Sequence, residues 1–258
     1  MIADIVCFPS AHINHLTPRT LDIDLVQEEM VKRHLPAKER IEGPPRRKCP
    51  ILLRQTSFKA LEEPVSFPAV DGGIVPGSHT ARFGEIEQRG AAVTPRGRDL
   101  YDELLGEATR QIGNYGDDER AFEEVLAKSF EAYPDDWDEL RAQGLVYFRY
   151  HVSPDQRNSA DVLKSPARLE ELLEQGVLEY EPLTYEDFLP LSAAGIFKSN
   201  LGEDVSQSPL RDTDSSMSDL EDILGCKIMS QFELYERLQQ ESVDRCAKEL
   251  GLSHILMD

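Results

Sequence analysis

The sequence predicts an α+β chain in which a βαβββ module is followed by a mostly helical region. Two patterns lead there: strand-length apolar runs surround one helical-period segment before residue 98, and acidic amphipathic helices dominate after it. Hydrophobic residues make up 40%, with 16 Gly and 16 Pro in 258 residues, which is ordinary globular usage and excludes collagen-like or wholly disordered chains. The length is enough to bury a core without disulfide or metal staples.

Ile2 to Phe8 is an apolar run with no helix cap or leader, so it reads as a strand of something larger and as a start in mid-fold. His12 to Thr17 follows as a short strand ended by Pro18. Leu21 to His34 is the helix, with Leu21, Leu25, Val26 and Met30 at helical spacing and Asp22 and Asp24 where the helix dipole favours them. Past the Gly43-Pro44-Pro45 breaker, Ile51 to Leu61 is one extended segment. Thr80 to Arg89 is another, behind the loop Asp71-Gly72-Gly73. Such a module leaves a sheet edge open and usually needs a twin to cover it.

From Arg98 the pattern predicts helices at Arg98 to Ile112, Glu119 to Ala132 and Asp136 to Gln143, then a strand from Leu145 to Val152. Pro166 suits the first position of a helix through Leu173, with Gly176 as its stop and Val177 to Leu183 as a further strand. Gln207 to Ser218 reads as a solvated loop. Ser230 to Leu250 is the last long helix. The domain expectation is therefore 1–97 for the βαβββ module and 98–258 for the helical and mixed region.

Charge narrows the function. The 28 Lys and Arg stand against 48 Asp and Glu, a net charge of −20, which excludes nucleic-acid binding by phosphate neutralisation. Cys7, Cys49, Cys226 and Cys246 form no CxxC pair, no N-x-[ST] sequon occurs, and no segment approaches the ~20 apolar residues of a membrane span. A reducing cytoplasmic setting is the expectation. The Arg46-Arg47-Lys48 run reads as a solvated loop and Trp137 as a packing anchor. His34, His151 and His254 read as surface or packing residues, while His79 lies near the start of the Glu85/Glu87 strand.

GxGxxG, P-loop, HExxH, GxSxG and EF-hand signatures are absent. Two polar clusters remain. His12 and His15 are three apart, so on a strand they face opposite ways and only one can serve a given site. Glu85 and Glu87 share a face with Phe83 and Arg89, where two carboxylates repel unless a cation or proton separates them. The residues alone support two readings: a hydrogen-bonded core histidine beside a solvated, arginine-paired strand face, or a metal taking one carboxylate with the other outside its ligand shell.

The strings His12 to Asp24, Ile51 to Leu61, His79 to Gly90 and Tyr185 to Phe197 resemble the 2-oxoadipate dioxygenase/decarboxylase family, also called hydroxyglutarate synthase, of the vicinal oxygen chelate superfamily. The resemblance runs in order from residue 2 to about 240. It implies a vicinal oxygen chelate-like fold and a mononuclear Fe(2+) enzyme that converts 2-oxoadipate and O2 to 2-hydroxyglutarate and CO2 in lysine breakdown. His15 and Glu87 match two of the family's three iron ligands. Leu191 and Ser192, before the Ala-Ala-Gly turn, match substrate-contacting positions. Glu85, Arg89 and Gln55 are expected around the ligands.

The family's other histidine and its substrate-gripping arginine belong to an Arg-His-Gly-Ala-Ile-Arg string of a preceding module that this chain lacks. The resemblance is thus to the second half of a family member, with the first module absent. Two histidines and a carboxylate leave three positions on Fe(II), which suits a 2-oxo acid and O2. The expected partners are the substrate, O2 and either a first module or a second copy across the open face, with no nucleic acid and no membrane. The competing expectations are a non-catalytic remnant that binds a partner or a carboxylate ligand, and a dioxygenase for another 2-oxo acid.

Overall fold

The computed structural model describes residues 18–35, 37, 41–58, 61–68, 72–81, 85–112, 119–154, 166–187 and 221–257. The chain divides into two compact units, one of Met1–Arg46 with Leu53–Gly90 and one of Arg47–Leu52 with Ala91–Asp258. Helices and strands are mixed in both. The expected strands at Ile2 to Phe8 and His12 to Thr17, and the Gln207 to Ser218 loop, lie outside the described residues.

In the first unit, helix α1 (Ile23–Lys32) starts at Asp22, whose carboxylate accepts from the Leu25 N–H at 3.0 Å. It ends in a Schellman turn: the N–H groups of His34 and Leu35 donate to the Val31 and Met30 carbonyls, with His34 at φ 58° in the position glycine usually takes. The helix is rotated from the expected face. Ile23 and Met30 are buried and Val26 is partly covered, while Leu21 is 96% and Leu25 53% exposed.

Strands β1 (Leu53–Ser57) and β4 (Glu85–Arg89) pair antiparallel, Gln55 facing Glu87 and Leu53 facing Arg89. On β4's other edge, Arg19 bridges Glu87 in parallel: the Thr20 N–H donates to the Glu87 carbonyl at 2.8 Å and the Glu87 N–H to that of Pro18 at 3.1 Å. On β1's other edge, Glu42 and Gln55 exchange backbone bonds of 2.7 and 2.9 Å. Gly43 follows at φ 112°, and a Cβ there would lie 2.2 Å from the Leu53 carbonyl oxygen, so only glycine fits. Strands β2 (Leu61–Pro68) and β3 (Ile74–Ala81) form a separate hairpin that splits the two long extended segments read from the sequence.

The second unit is built on β5 (Phe148–Val152) and β7 (Leu178–Pro182), an antiparallel pair. β5's other edge is covered by helix α6 (Gln231–Glu249), whose Gln239 and Ser242 side chains accept from the Phe148 and Tyr150 N–H groups at 2.7 and 3.0 Å. Side chains therefore do what a neighbouring strand would do. Between β5 and β7 the chain forms the short strand β6 (Ala167–Arg168), parallel to β8 (Ile255–Leu256), and helix α5 (Leu169–Glu174). The expected helix start at Pro166 is thus three residues early. The Gly176 stop holds at φ 66°.

Helices α2 (Pro95–Ile112) and α3 (Glu119–Ser129) pack together, and a 3-10 turn (Phe130–Ala132) leads to α4 (Trp137–Ala142). Within this core Phe130 stacks on Tyr133 and meets Tyr101 edge-on, and Trp137 meets Phe148 edge-on at 6.1 Å. Arg47 is buried, not solvated: it donates to the Phe130, Tyr133 and Pro134 carbonyls and lies over the Tyr133 ring. The Tyr133 and Pro134 carbonyls past the end of the turn, with the Phe130 carbonyl that also accepts the Tyr133 N–H, supply the acceptors that a buried guanidinium requires.

Candidate functional site

Alternation along β4 sorts its side chains onto two faces. Ile86 and Gln88 turn toward α1. Ile86 joins Met30 and Ala37, with Val26 and Phe58 packed against them, while the Gln88 amide accepts from the Ile23 N–H at 3.3 Å and donates to the Leu21 carbonyl at 3.0 Å. From β1, Arg54 grips Asp24 with two bonds of 2.7 and 2.9 Å. Burial raises the Asp24 carboxyl, but the Arg54 bond and the Arg54 and Arg46 charges outweigh it and hold the group below its ordinary range.

Glu85, Glu87 and Arg89 share the opposite face, with Gln55 of β1 directly across from Glu87. Glu87 and Gln55 are buried, and Glu85 is half-buried. The Glu87 side chain is 6% exposed and makes three charge-assisted bonds: Arg89 Nε and Arg19 Nε donate to Oε1 at 2.9 and 3.2 Å, and Arg89 Nη2 donates to Oε2 at 3.1 Å. The repulsion expected between the two glutamates is thus relieved by guanidinium groups. The arrangement is a carboxylate out of water, fixed in orientation by two arginines and a strand.

Arg19 is the participant that reading the sequence missed. Its signal was present, because it stands four residues after His15, an even spacing that keeps one face of an extended chain. His12, His15, Leu191 and Ser192 lie outside the described residues. His79 lies in β3. His151, in the second unit, pairs with Glu179 at 3.2 Å, His254 contacts Ser253, and His34 closes α1. Among the described residues no three His, Cys, Asp or Glu side chains are grouped to hold a metal ion.

The donor chemistry of Glu87 nevertheless fits a hard divalent cation. The carboxylate is buried and oriented, and Oε2 accepts one hydrogen bond where it has room for two.

Comparison with known proteins decides the family. Residues 1–200 match the family described as 2-oxoadipate dioxygenase/decarboxylase. The chain belongs to that family. It is 48% identical over 246 residues to the 2-oxoadipate dioxygenase/decarboxylase of Escherichia coli (strain K12), covering 95% of this chain and 53% of the relative. It is 46% identical over 254 residues to the protein of the same name from Pseudomonas putida, covering 98% and 54%. In structure it resembles the P. putida hydroxyglutarate synthase solved in complex with 2-oxoadipate, with a TM-score of 0.74 at 39% identity, covering 93% of this chain and 50% of that one. The chain spans about half the length of the curated relatives it matches. Among the described residues no helix is long and apolar enough to cross a membrane.

Proposed function

We propose that this chain provides the carboxylate half of an Fe(2+)-dependent dioxygenase/decarboxylase that converts 2-oxoadipate and O2 to 2-hydroxyglutarate and CO2. The observation that carries the proposal is Glu87, a buried carboxylate on β4 held in one orientation by Arg89 and Arg19. His15 is the second ligand. It stands three residues before Pro18 in the sequence, and the Pro18 carbonyl accepts from the Glu87 N–H. A second imidazole and the arginine that takes the substrate's carboxylate come from the half of the family that this chain does not span.

The conversion needs no external reductant. One oxygen atom completes the carboxylate on the carbon that loses CO2, and the other becomes the hydroxyl of its neighbour. Iron would supply the chelation point for the 2-oxo acid and the activation of O2. The chain's own part is to hold a carboxylate and an imidazole, to keep water from Glu87, and to place Leu191 and Ser192 against the substrate. Glu85, Arg89 and Gln55 support Glu87 from its own face of the sheet.

The bridges support a βαβββ reading of the first unit: Pro18–Thr20 along β4, β4 along β1, and β1 along Glu42, with α1 between the outer two. On this reading 1–97 carries the ligands and 98–258 completes the substrate pocket, in a cytoplasmic enzyme with no nucleic-acid or membrane partner.

The test is iron content and 2-oxoadipate-dependent O2 uptake, with 2-hydroxyglutarate measured as product. It is run on the 258-residue chain alone and mixed with the complementary half of the P. putida relative. Weak iron binding alone and turnover in the mixture are expected. A mixture that binds iron yet consumes no O2 with 2-oxoadipate would refute the activity.

A further inference from the structure

The three bonds to Glu87 are distributed unevenly, and the distribution is informative. A carboxylate offers about four lone-pair directions, two on each oxygen. Oε1 receives two donors, the Nε atoms of Arg19 and Arg89, and Oε2 receives one, Nη2 of Arg89. One acceptor direction is left, on Oε2. Arg89 holds both oxygens in a fork and is itself only 12% exposed, so it fixes the plane of the carboxylate. Arg19 is 55% exposed and adds a single bond to the oxygen already held.

A lone carboxylate that needed only neutralising would be served by Arg89 alone. A second guanidinium on Oε1 fills that oxygen and turns the remaining capacity to one side.

We infer that Arg19 and Arg89 are positioning residues that present Oε2 of Glu87 to a divalent cation as a one-oxygen ligand. The inference rests on the reading of Glu87 as a metal ligand and adds which oxygen binds and what holds it there. A guanidinium fork of this kind is not interchangeable with a lysine, whose point charge leaves the carboxylate free to rotate. Partners behind a ligand commonly change metal affinity by 10- to 100-fold when removed.

The experiment is an anaerobic Co(II) titration of the metal-free 258-residue chain, read by calorimetry for affinity and by visible absorption for coordination. Glu87→Ala tests the underlying reading and is expected to weaken Co(II) binding by about 100-fold or more. Arg89→Gln should weaken it by about 10- to 100-fold, and Arg19→Gln by a few-fold. Arg89→Lys should restore part of the affinity with a shifted visible spectrum, because the charge returns without the fork. Should Arg89→Gln fail to fold, Arg89→Lys decides alone, and an unchanged affinity and spectrum in it overturn the inference.

Arg89→Gln binding Co(II) as well as the parent, or more tightly, while Glu87→Ala loses it, would show that the arginines compete with the metal for Glu87. Glu87→Ala binding normally would remove the metal reading itself. A parent chain that takes up no Co(II) at millimolar concentration would overturn both.

Discussion

Ser242→Ala tests how the second unit protects the open edge of β5. Ser242 is 0% exposed; its Oγ accepts the Tyr150 N–H at 3.0 Å and donates to the Gln239 carbonyl at 2.6 Å. Removing the hydroxyl leaves a buried backbone donor without an acceptor, which costs about 1–3 kcal/mol. The higher helix propensity of alanine returns roughly 0.5 kcal/mol. The net loss expected is therefore about 0.5–2.5 kcal/mol.

The chain supplies its own probe, because its single tryptophan, Trp137, packs edge-on against Phe148, two residues from the broken bond. Followed by tryptophan fluorescence in urea, and with a slope of about 2 kcal/mol/M, the midpoint should fall by about 0.25–1.25 M. Gln240→Ala is the control: its bond to Asp244 lies on the exposed face of α6 and its loss should cost under about 0.5 kcal/mol. Equal, small shifts in the two variants would mean that water reaches the Tyr150 N–H, and that α6 packs on β5 without sealing it.

Arg47→Met should destabilise the second unit by about 2–4 kcal/mol in the same assay, since three carbonyls lose their charged donor. Asp24→Asn should remove a pH dependence from the first unit. The folded carboxyl lies below its ordinary value of 3.8, so its contribution is present above that value and fades as pH falls through the lower folded one. Hydrogen exchange of the β1 and β4 amides should show the gap between parent and variant closing from pH 6 toward pH 2. For the thiols, burial pushes Cys246 up to about 11 and raises Cys49, so both should resist alkylation at pH 8 until the chain unfolds. The exposed Cys226 should label at once, as peptide mass analysis would show.

Local signals carried much of the fold. Ser230 and Leu250 were read as the ends of α6 and are its caps, because a capping side chain and a helical period need no distant partner. The start of α2 shows the same physics overlooked: Thr94 Oγ accepts from the Gly97 N–H and Pro95 takes the first helical position, a pair visible in the sequence three residues before the expected start. What was not legible depends on tertiary partners. The face of α1 turned because Arg54 holds Asp24 and Gln88 holds the ends of Leu21 and Ile23, contacts of 30 to 67 residues' separation that outweigh the pull of Leu21 and Leu25. The β2–β3 hairpin escaped because Pro64, Pro68, Pro76 and Gly77 break the alternation by which strands are recognised. Leu52 adopts φ 56° although it is buried, with its N–H donating to the Ala91 carbonyl, and no sequence rule assigns leucine that conformation.

The same division governs the candidate site. Strand parity put Glu85, Glu87 and Arg89 on one face from the sequence alone, since an alternation of two is fixed by the backbone. That Glu87 is the buried member follows from its central place in β4, with β1 on one side and Pro18–Thr20 on the other, whereas Glu85 lies at the strand's open end. Arg19 joins it across 68 residues because the chain returns alongside β4 in parallel, a pairing no local pattern announces. The chemistry of the face is therefore readable strand by strand, and its charge balance only once the strands are paired.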